Sequence, residues 1–156
     1  MGAALKAGDP APDFAGVTTD GTRVRLADYR GRTLVLYFYP MDDTPGCTKQ
    51  ACSLRDHNAE IAAKGAAILG VSTQDEASHR RFTEKHRLNF PLLADRDGKV
   101  GRAYGVLGGA GLLSAAKAFM GMADRVTFII DGKGRIAHVI DRPDVSNHAG
   151  EVLALL

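Results

Sequence analysis

Two cysteines, Cys47 and Cys52, are the residues of this 156-residue chain best suited to do chemistry. They lie in Pro40-Met41-Asp42-Asp43-Thr44-Pro45-Gly46-Cys47-Thr48-Lys49-Gln50-Ala51-Cys52, directly after an apolar run from Leu34 to Tyr39. Thr44 is a favourable N-cap, and Pro45 suits the first helical position because its missing N–H would have no helical partner there. Cys47 is then the third helical residue. It sits in a first turn whose backbone N–H groups are unpaired and where the helix dipole is positive. That setting favours the thiolate, the nucleophilic form of cysteine. The rest of the turn supplies parts for a small polar substrate. The N–H groups of Gly46 and Cys47 can donate, the Thr44 hydroxyl can donate or accept, Gly46 leaves room for close approach, and Pro40 can shield the sulfur from water. A cysteine so placed reads as reactive rather than as an inert packed thiol.

Cys52 follows on the same helix. Five residues of helix rotate by about 500° and rise about 7.5 Å, which sets the two Cα atoms roughly 8–9 Å apart. A disulfide wants less than about 7 Å, so the pair cannot join while the helix is intact. If Cys52 resolves an oxidised Cys47, the first turns must unwind. Cys47, Ala51, Leu54 and Ile61 share one helical face, and Cys52 points elsewhere with Arg55, Asp56 and Ala59. A sulfur on that more polar face suits a resolving role better than packing, with a spectator thiol as the bland alternative.

Other chemistries lack their residues. Thioredoxin-type exchange needs C-x-x-C, and four residues separate these cysteines. Two cysteines with the scattered His57, His79, His86, His138 and His148 show no zinc spacing. Gly105, Gly108, Gly109 and Gly111 are followed by no Gly-Lys-Ser/Thr, and no G-x-S-x-G elbow is present.

The bulk numbers fit one globular domain over 1–156 with a proper core and no need of disulfide staples. Hydrophobic content is 45% and charged content 24%. A net charge of +2 gives no reason to expect nucleic acid or a membrane surface as partner. The basic cluster Arg80, Arg81, Lys85 and Arg87 reads as a solvated helix face. No apolar run approaches the ~18 residues of a membrane span. Met1–Lys6 lacks the features of a signal peptide, and Lys6 breaks the myristoylation pattern. A cytoplasmic location follows as the expectation, and there a lone cysteine pair is more often redox-active than structural.

The elements that must position Cys47 read as alternating strands and helices. Val17–Thr19 and Arg23–Leu26 flank Asp20-Gly21 as an N-terminal hairpin. Leu34–Tyr39 and Ala66–Val71 are strands buried on both faces. The spacing predicts one helix from Pro45 to about Lys64, ended by Gly65. Thr73-Gln74-Asp75-Glu76 reads as a capping box for a helix reaching about Arg87. A short strand at Phe90–Leu93 and a short helix at Asp97–Tyr104 follow. Val126–Ile130 and Arg135–Ile140 form a late hairpin, and 147–156 is helical. The class is α/β, with a central sheet flanked by helices and active groups expected where strands end and helices begin.

Pro40-x-x-x-Thr44-x-x-Cys47 resembles the active-site motif of the peroxiredoxins. The longer string Phe38-Tyr39-Pro40 … Thr44-Pro45-Gly46-Cys47-Thr48-Lys49-Gln50-Ala51-Cys52 … Arg55-Asp56 is similar to their Q-type branch, also called bacterioferritin comigratory protein. The likeness continues through Gly8-Asp9-Pro10-Ala11-Pro12-Asp13-Phe14, Leu92-Leu93-Ala94-Asp95, Ala103-Tyr104-Gly105-Val106 and Arg125-Val126-Thr127-Phe128-Ile129-Ile130-Asp131. The resemblance implies a thioredoxin-like fold with a central mixed sheet. It also implies a thiol peroxidase acting on hydrogen peroxide and organic hydroperoxides, with no metal, haem or flavin. By that resemblance Cys47 is the peroxidatic cysteine, oxidised to sulfenic acid. Thr44 orients thiolate and peroxide, Pro40 shields, and Arg125 supports the thiolate and polarises the peroxide, with Gly46 at the substrate. Cys52 matches the resolving cysteine, giving an intramolecular Cys47–Cys52 disulfide that thioredoxin or a related dithiol reduces. The alternatives are a one-cysteine enzyme with Cys52 idle and a peroxide sensor or redox relay. A monomer or weak homodimer is expected. The chain departs from the family over Leu107–Met122, which is more aliphatic and punctuated by glycine. That segment reads as a helix with an apolar face over the site, as a dimer contact, or as a loop with glycine hinges. In the first reading it favours bulkier hydroperoxides.

Overall fold

The structure, a computed structural model, describes residues 4–108 and 120–156. At its centre is a five-stranded mixed sheet of order β5-β4-β3-β6-β7. These strands are β3 (Thr33–Phe38), β4 (Ala66–Ser72), β5 (Leu92–Ala94), β6 (Val126–Ile130) and β7 (Ile136–Ile140). β3 pairs in parallel with β4, and β4 with β5. On its other edge β3 pairs antiparallel with β6, and β6 with β7. A separate antiparallel hairpin is formed by β1 (Ala15–Val17) and β2 (Arg23–Arg25). The helices are α1 (Pro45–Asp56), α2 (Asn58–Ala63), α3 (Glu76–His86), α4 (Lys99–Ala103) and α5 (His148–Leu153).

From Leu34 onward β3 is apolar without interruption, as suits a strand covered on both faces. Side chains alternate along a strand, so Leu34, Leu36 and Phe38 join one core cluster and Val35 and Tyr37 the other, continued by Tyr39. The first cluster packs against Phe14, Leu26, Tyr29, Val100 and Tyr104. The second holds Cys47, Ala51 and Leu54 of α1, Phe82 of α3 and Val152 of α5. At Gly70 of β4 a Cβ would stand 2.8 Å from the Tyr37 ring, so glycine there admits the aromatic layer under α1.

Three local expectations are corrected. The N-terminal strands stop earlier than the pattern suggests, and their loop is longer than Asp20-Gly21. Thr19 N–H donates to the Leu92 carbonyl at 2.9 Å, and Thr18 bridges Leu93, so these residues are diverted onto β5. Gly21, at φ +82°, closes the turn in the left-handed region. The single helix from Pro45 to Lys64 is broken at His57. Its Nδ1 lies 3.0 Å from the Ser53 carbonyl, the acceptor its own backbone N–H would use in a continuing helix, and that N–H turns to Leu54 at 3.3 Å. The cap of α3 is Asp75, whose carboxylate accepts from Ser78 N–H at 2.9 Å, and not Thr73. Thr73 instead donates its hydroxyl to the Gly121 carbonyl. Of the apolar segment 107–122, residues 109–119 lie outside the described residues. Its flanks meet where Asp124 N–H donates to the Val106 carbonyl at 2.7 Å.

Candidate active site

α1 begins as expected, from Thr44 in extended conformation (φ −90°, ψ 156°) and Pro45. Thr48 N–H donates to the Thr44 carbonyl at 2.8 Å, closing the first turn. Cys47 is its third residue and only 1% exposed. Antiparallel pairing sets Val126 opposite Phe38, which carries Arg125 to the end of β3 where the loop toward α1 departs. From there Arg125 Nη2 donates to Cys47 Sγ at 3.3 Å and Nη1 to Gln50 Oε1 at 2.7 Å. Gln50 follows Cys47 by three positions on the same helical face and is fully buried. A planar fork held at one nitrogen has its other nitrogen aimed, so Gln50 directs the guanidinium at the sulfur. At Gly46 a Cβ would stand 3.2 Å from Arg125 Nη2, so glycine keeps that approach open.

The loop before α1 is tied down residue by residue. Thr44 occupies the N-cap position but its side chain makes no cap bond; Oγ1 donates to the Met41 carbonyl at 3.0 Å. The Pro40 carbonyl accepts from Gln74 Nε2 at 3.4 Å. Asp42 N–H donates to Gln74 Oε1 at 2.9 Å. The Asp42 carboxylate accepts from Tyr39 Oη at 2.6 Å, Ser78 Oγ at 2.7 Å and His79 Nδ1 at 2.6 Å. Asp43, at φ 60°, accepts from His86 Nε2 at 2.9 Å and Lys85 Nζ at 2.7 Å. The His86 bond first, then that of Lys85, holds its carboxyl below the usual carboxylate range.

Beneath α1 lies Tyr37. Burial pushes its phenol well above the ordinary value, with a further electrostatic contribution from the neighbouring Cys47. Cys52 is half-buried on the unbroken α1, and both cysteines are free thiols. The structure thus brings Cys47, Arg125 and Gly46 into one cluster, with Thr44 and Pro40 in the adjoining loop and Cys52 further along the helix. Sequence reading passed over Gln50, Asp42, Gln74 and His79. The first two lie inside the quoted motif, whereas Gln74 and His79 lie outside it and no local pattern ties them to the site. A cleft of about 930 Å³ between the hairpin and α4, lined by Phe14, Arg23, Asp95 and Lys99, contains none of the named site residues. Among the described residues no group of His, Cys, Asp and Glu is placed to hold a metal, and no helix is long and apolar enough to cross a membrane.

The chain belongs to the AhpC/TSA family, whose profile matches residues 7–139. It is a thiol-dependent peroxidase with a thioredoxin-like fold. Within that class it is similar to Peroxiredoxin Bcp of Escherichia coli (strain K12), with 44% identity over 153 residues, 96% of this chain and 94% of the relative. Among solved structures it is similar to a cysteine-to-serine mutant of PrxQ from Xylella fastidiosa. That match has a TM-score of 0.87 and 29% identity over 98% of this chain and 96% of the other. It is also similar to the bacterioferritin comigratory protein of Xanthomonas campestris, described for alkyl peroxide reduction. There the TM-score is 0.82 and the identity 31% over 95% of each chain.

Proposed function

We propose that Cys47 is the sulfur that reduces hydrogen peroxide and organic hydroperoxides, and that Cys52 resolves it. The observation that supports this most is the Arg125 guanidinium at 3.3 Å from a sulfur in the first turn of a helix. The cation and the first-turn amides favour negative charge there. The thiolate attacks the terminal oxygen of the hydroperoxide, forming an S–O bond as the O–O bond breaks. The leaving oxygen takes the bonding pair, is stabilised by Arg125, and acquires a proton to become water or an alcohol. Cys47 is left as sulfenic acid. Cys52 thiolate then attacks that sulfur, forming the disulfide and expelling hydroxide, which leaves as water. Thioredoxin or a similar dithiol returns both cysteines to thiols while being oxidised itself. A reducing, cytoplasmic compartment suits that step. Pro40 shields the sulfur from water, and Thr44 and Gly46 face the peroxide.

Because both thiols sit on an intact α1, a cycle in which Cys52 is idle is the competing reading. Mass spectrometry after one equivalent of peroxide separates the two. Loss of two hydrogens with a Cys47–Cys52 crosslink supports resolution. Sulfenate or sulfinate retained on Cys47 supports the one-cysteine cycle. Cys52→Ser is expected to keep one round of peroxide reduction and lose steady turnover with thioredoxin. Unchanged turnover in that variant would exclude Cys52 as the resolving thiol.

A further inference from the structure

We infer that Asp42 and Gln74 are positioning residues that lock the Met41–Asp42 peptide, so that the Thr44 hydroxyl is presented to the peroxide as an acceptor. A hydroxyl has one proton and two lone pairs. The proton of Thr44 Oγ1 is given to the Met41 carbonyl at 3.0 Å, so only lone pairs remain for substrate. A hydroperoxide carries an O–H that such a lone pair can take, while the Arg125 N–H groups beside Cys47 donate to its oxygens. Held at both ends in this way, the O–O axis is lined up with the sulfur.

The direction of the Met41 carbonyl therefore matters. That carbonyl and the Asp42 N–H belong to one rigid, planar, trans peptide and point in opposite directions. The N–H is bound to Gln74 Oε1 at 2.9 Å, and Gln74 is itself held by Ser72 Oγ at 2.7 Å and by the Pro40 carbonyl at 3.4 Å. The Asp42 carboxylate, 5% exposed, is held by Tyr39, Ser78 and His79, and the His79 ring is gripped on its far side by the Leu93 carbonyl at 3.1 Å. Residues of β4, α3 and β5 thus hold Gln74 and the Asp42 carboxylate, and through them the Met41–Asp42 peptide. Neither the Asp42 nor the Gln74 side chain is hydrogen-bonded to Cys47 or Arg125 among the described residues. Their effect is expected on the peroxide and not on the sulfur.

This inference rests on Cys47 as the reacting sulfur, and the test keeps the two claims apart. In a Cys52→Ser background, second-order rates of Cys47 are measured with hydrogen peroxide and with iodoacetamide, which alkylates sulfur without offering an O–H. Asp42→Asn and Gln74→Met are each expected to slow peroxide about tenfold or more while alkylation stays within about threefold. Thr44→Val should abolish the further effect of Gln74→Met on the peroxide rate, because the two act through the same hydroxyl. Parallel loss of both rates, an unchanged peroxide rate, or additive effects of Thr44→Val and Gln74→Met would overturn the positioning role. Should Asp42→Asn fail to fold, Gln74→Met decides, since it leaves the carboxylate cluster intact. If peroxide leaves Cys47 unmodified in the parent protein, the peroxidatic assignment falls and this one with it. If the parent is oxidised and the variants match it, only the positioning role is lost.

Discussion

At the scale of single residues the proposed chemistry concentrates in one guanidinium. Arg125 spends one nitrogen on Gln50 and one on Cys47, so its charge is delivered at a set angle. Replacing Arg125 with Gln removes the cation while keeping some donor capacity. Peroxide reduction is expected to fall by about 10²- to 10³-fold, the usual loss when one preorganised transition-state donor is removed. Stopped-flow rates with hydrogen peroxide would check this, and a drop of less than about threefold would deny Arg125 a catalytic part. Arg125→Lys is expected to recover little, because a point charge lacks the fork that Gln50 aims.

At the scale of elements, the proposed resolution requires α1 to let Cys52 reach Cys47. The helix is anchored at both ends. Asp42 and Asp43 tie its leading loop to α3. Near its end Ser53 Oγ accepts the Ala149 N–H of α5 at 3.0 Å, and Arg55 Nη1 donates to the His86 carbonyl at 2.6 Å. The unwinding that the proposed disulfide needs is thus expected between Thr44 and Ser53, with the sheet below left closed. Hydrogen exchange is expected to show amides of 48–53 losing protection by about tenfold or more on oxidation. The β3 amides, Leu34 to Phe38, should keep theirs. Unaltered protection across α1 in the oxidised protein would remove the local unwinding that the disulfide requires.

At the scale of the whole molecule, α5 closes the second core against β6. His148 is fully buried, with Nδ1 2.9 Å from Glu151 Oε1 and Nε2 2.8 Å from Thr127 Oγ1, two residues beyond Arg125. Burial lowers its pKa from the ordinary 6.5, and the Glu151 bond only partly opposes this. The folded protein therefore binds fewer protons here than the unfolded chain once the pH falls below about 6.5. The His148 contribution to stability is present above that pH and is lost as the pH drops toward the lowered folded value. Urea unfolding at pH 7.5 and pH 5.5 is expected to give lower stability at the acid end. A His148→Asn variant should show a shallower slope. An equal slope in the variant would assign the acid sensitivity to other groups.

What could be read directly from the residues was whatever depends on near neighbours. The start of α1 at Pro45, the placing of Cys47 as its third residue, and the buried character of β3 and β4 follow from Thr44-Pro45-Gly46 and from apolar runs. Propensity, capping and periodicity act over a few residues, and these elements obey them. The break at His57 and the cap at Asp75 escaped because side-chain competition for one carbonyl, or a hydroxyl diverted to Gly121, reverses a preference worth about 1 kcal/mol. Arg125 was named through likeness to a family, since nothing near position 125 points to position 47. Gln74 and His79 could not be named as residues of the site. Strand pairing and helix packing bring them to the active-site loop, and those contacts between distant residues are decided by burial of the two core faces, which no local pattern records.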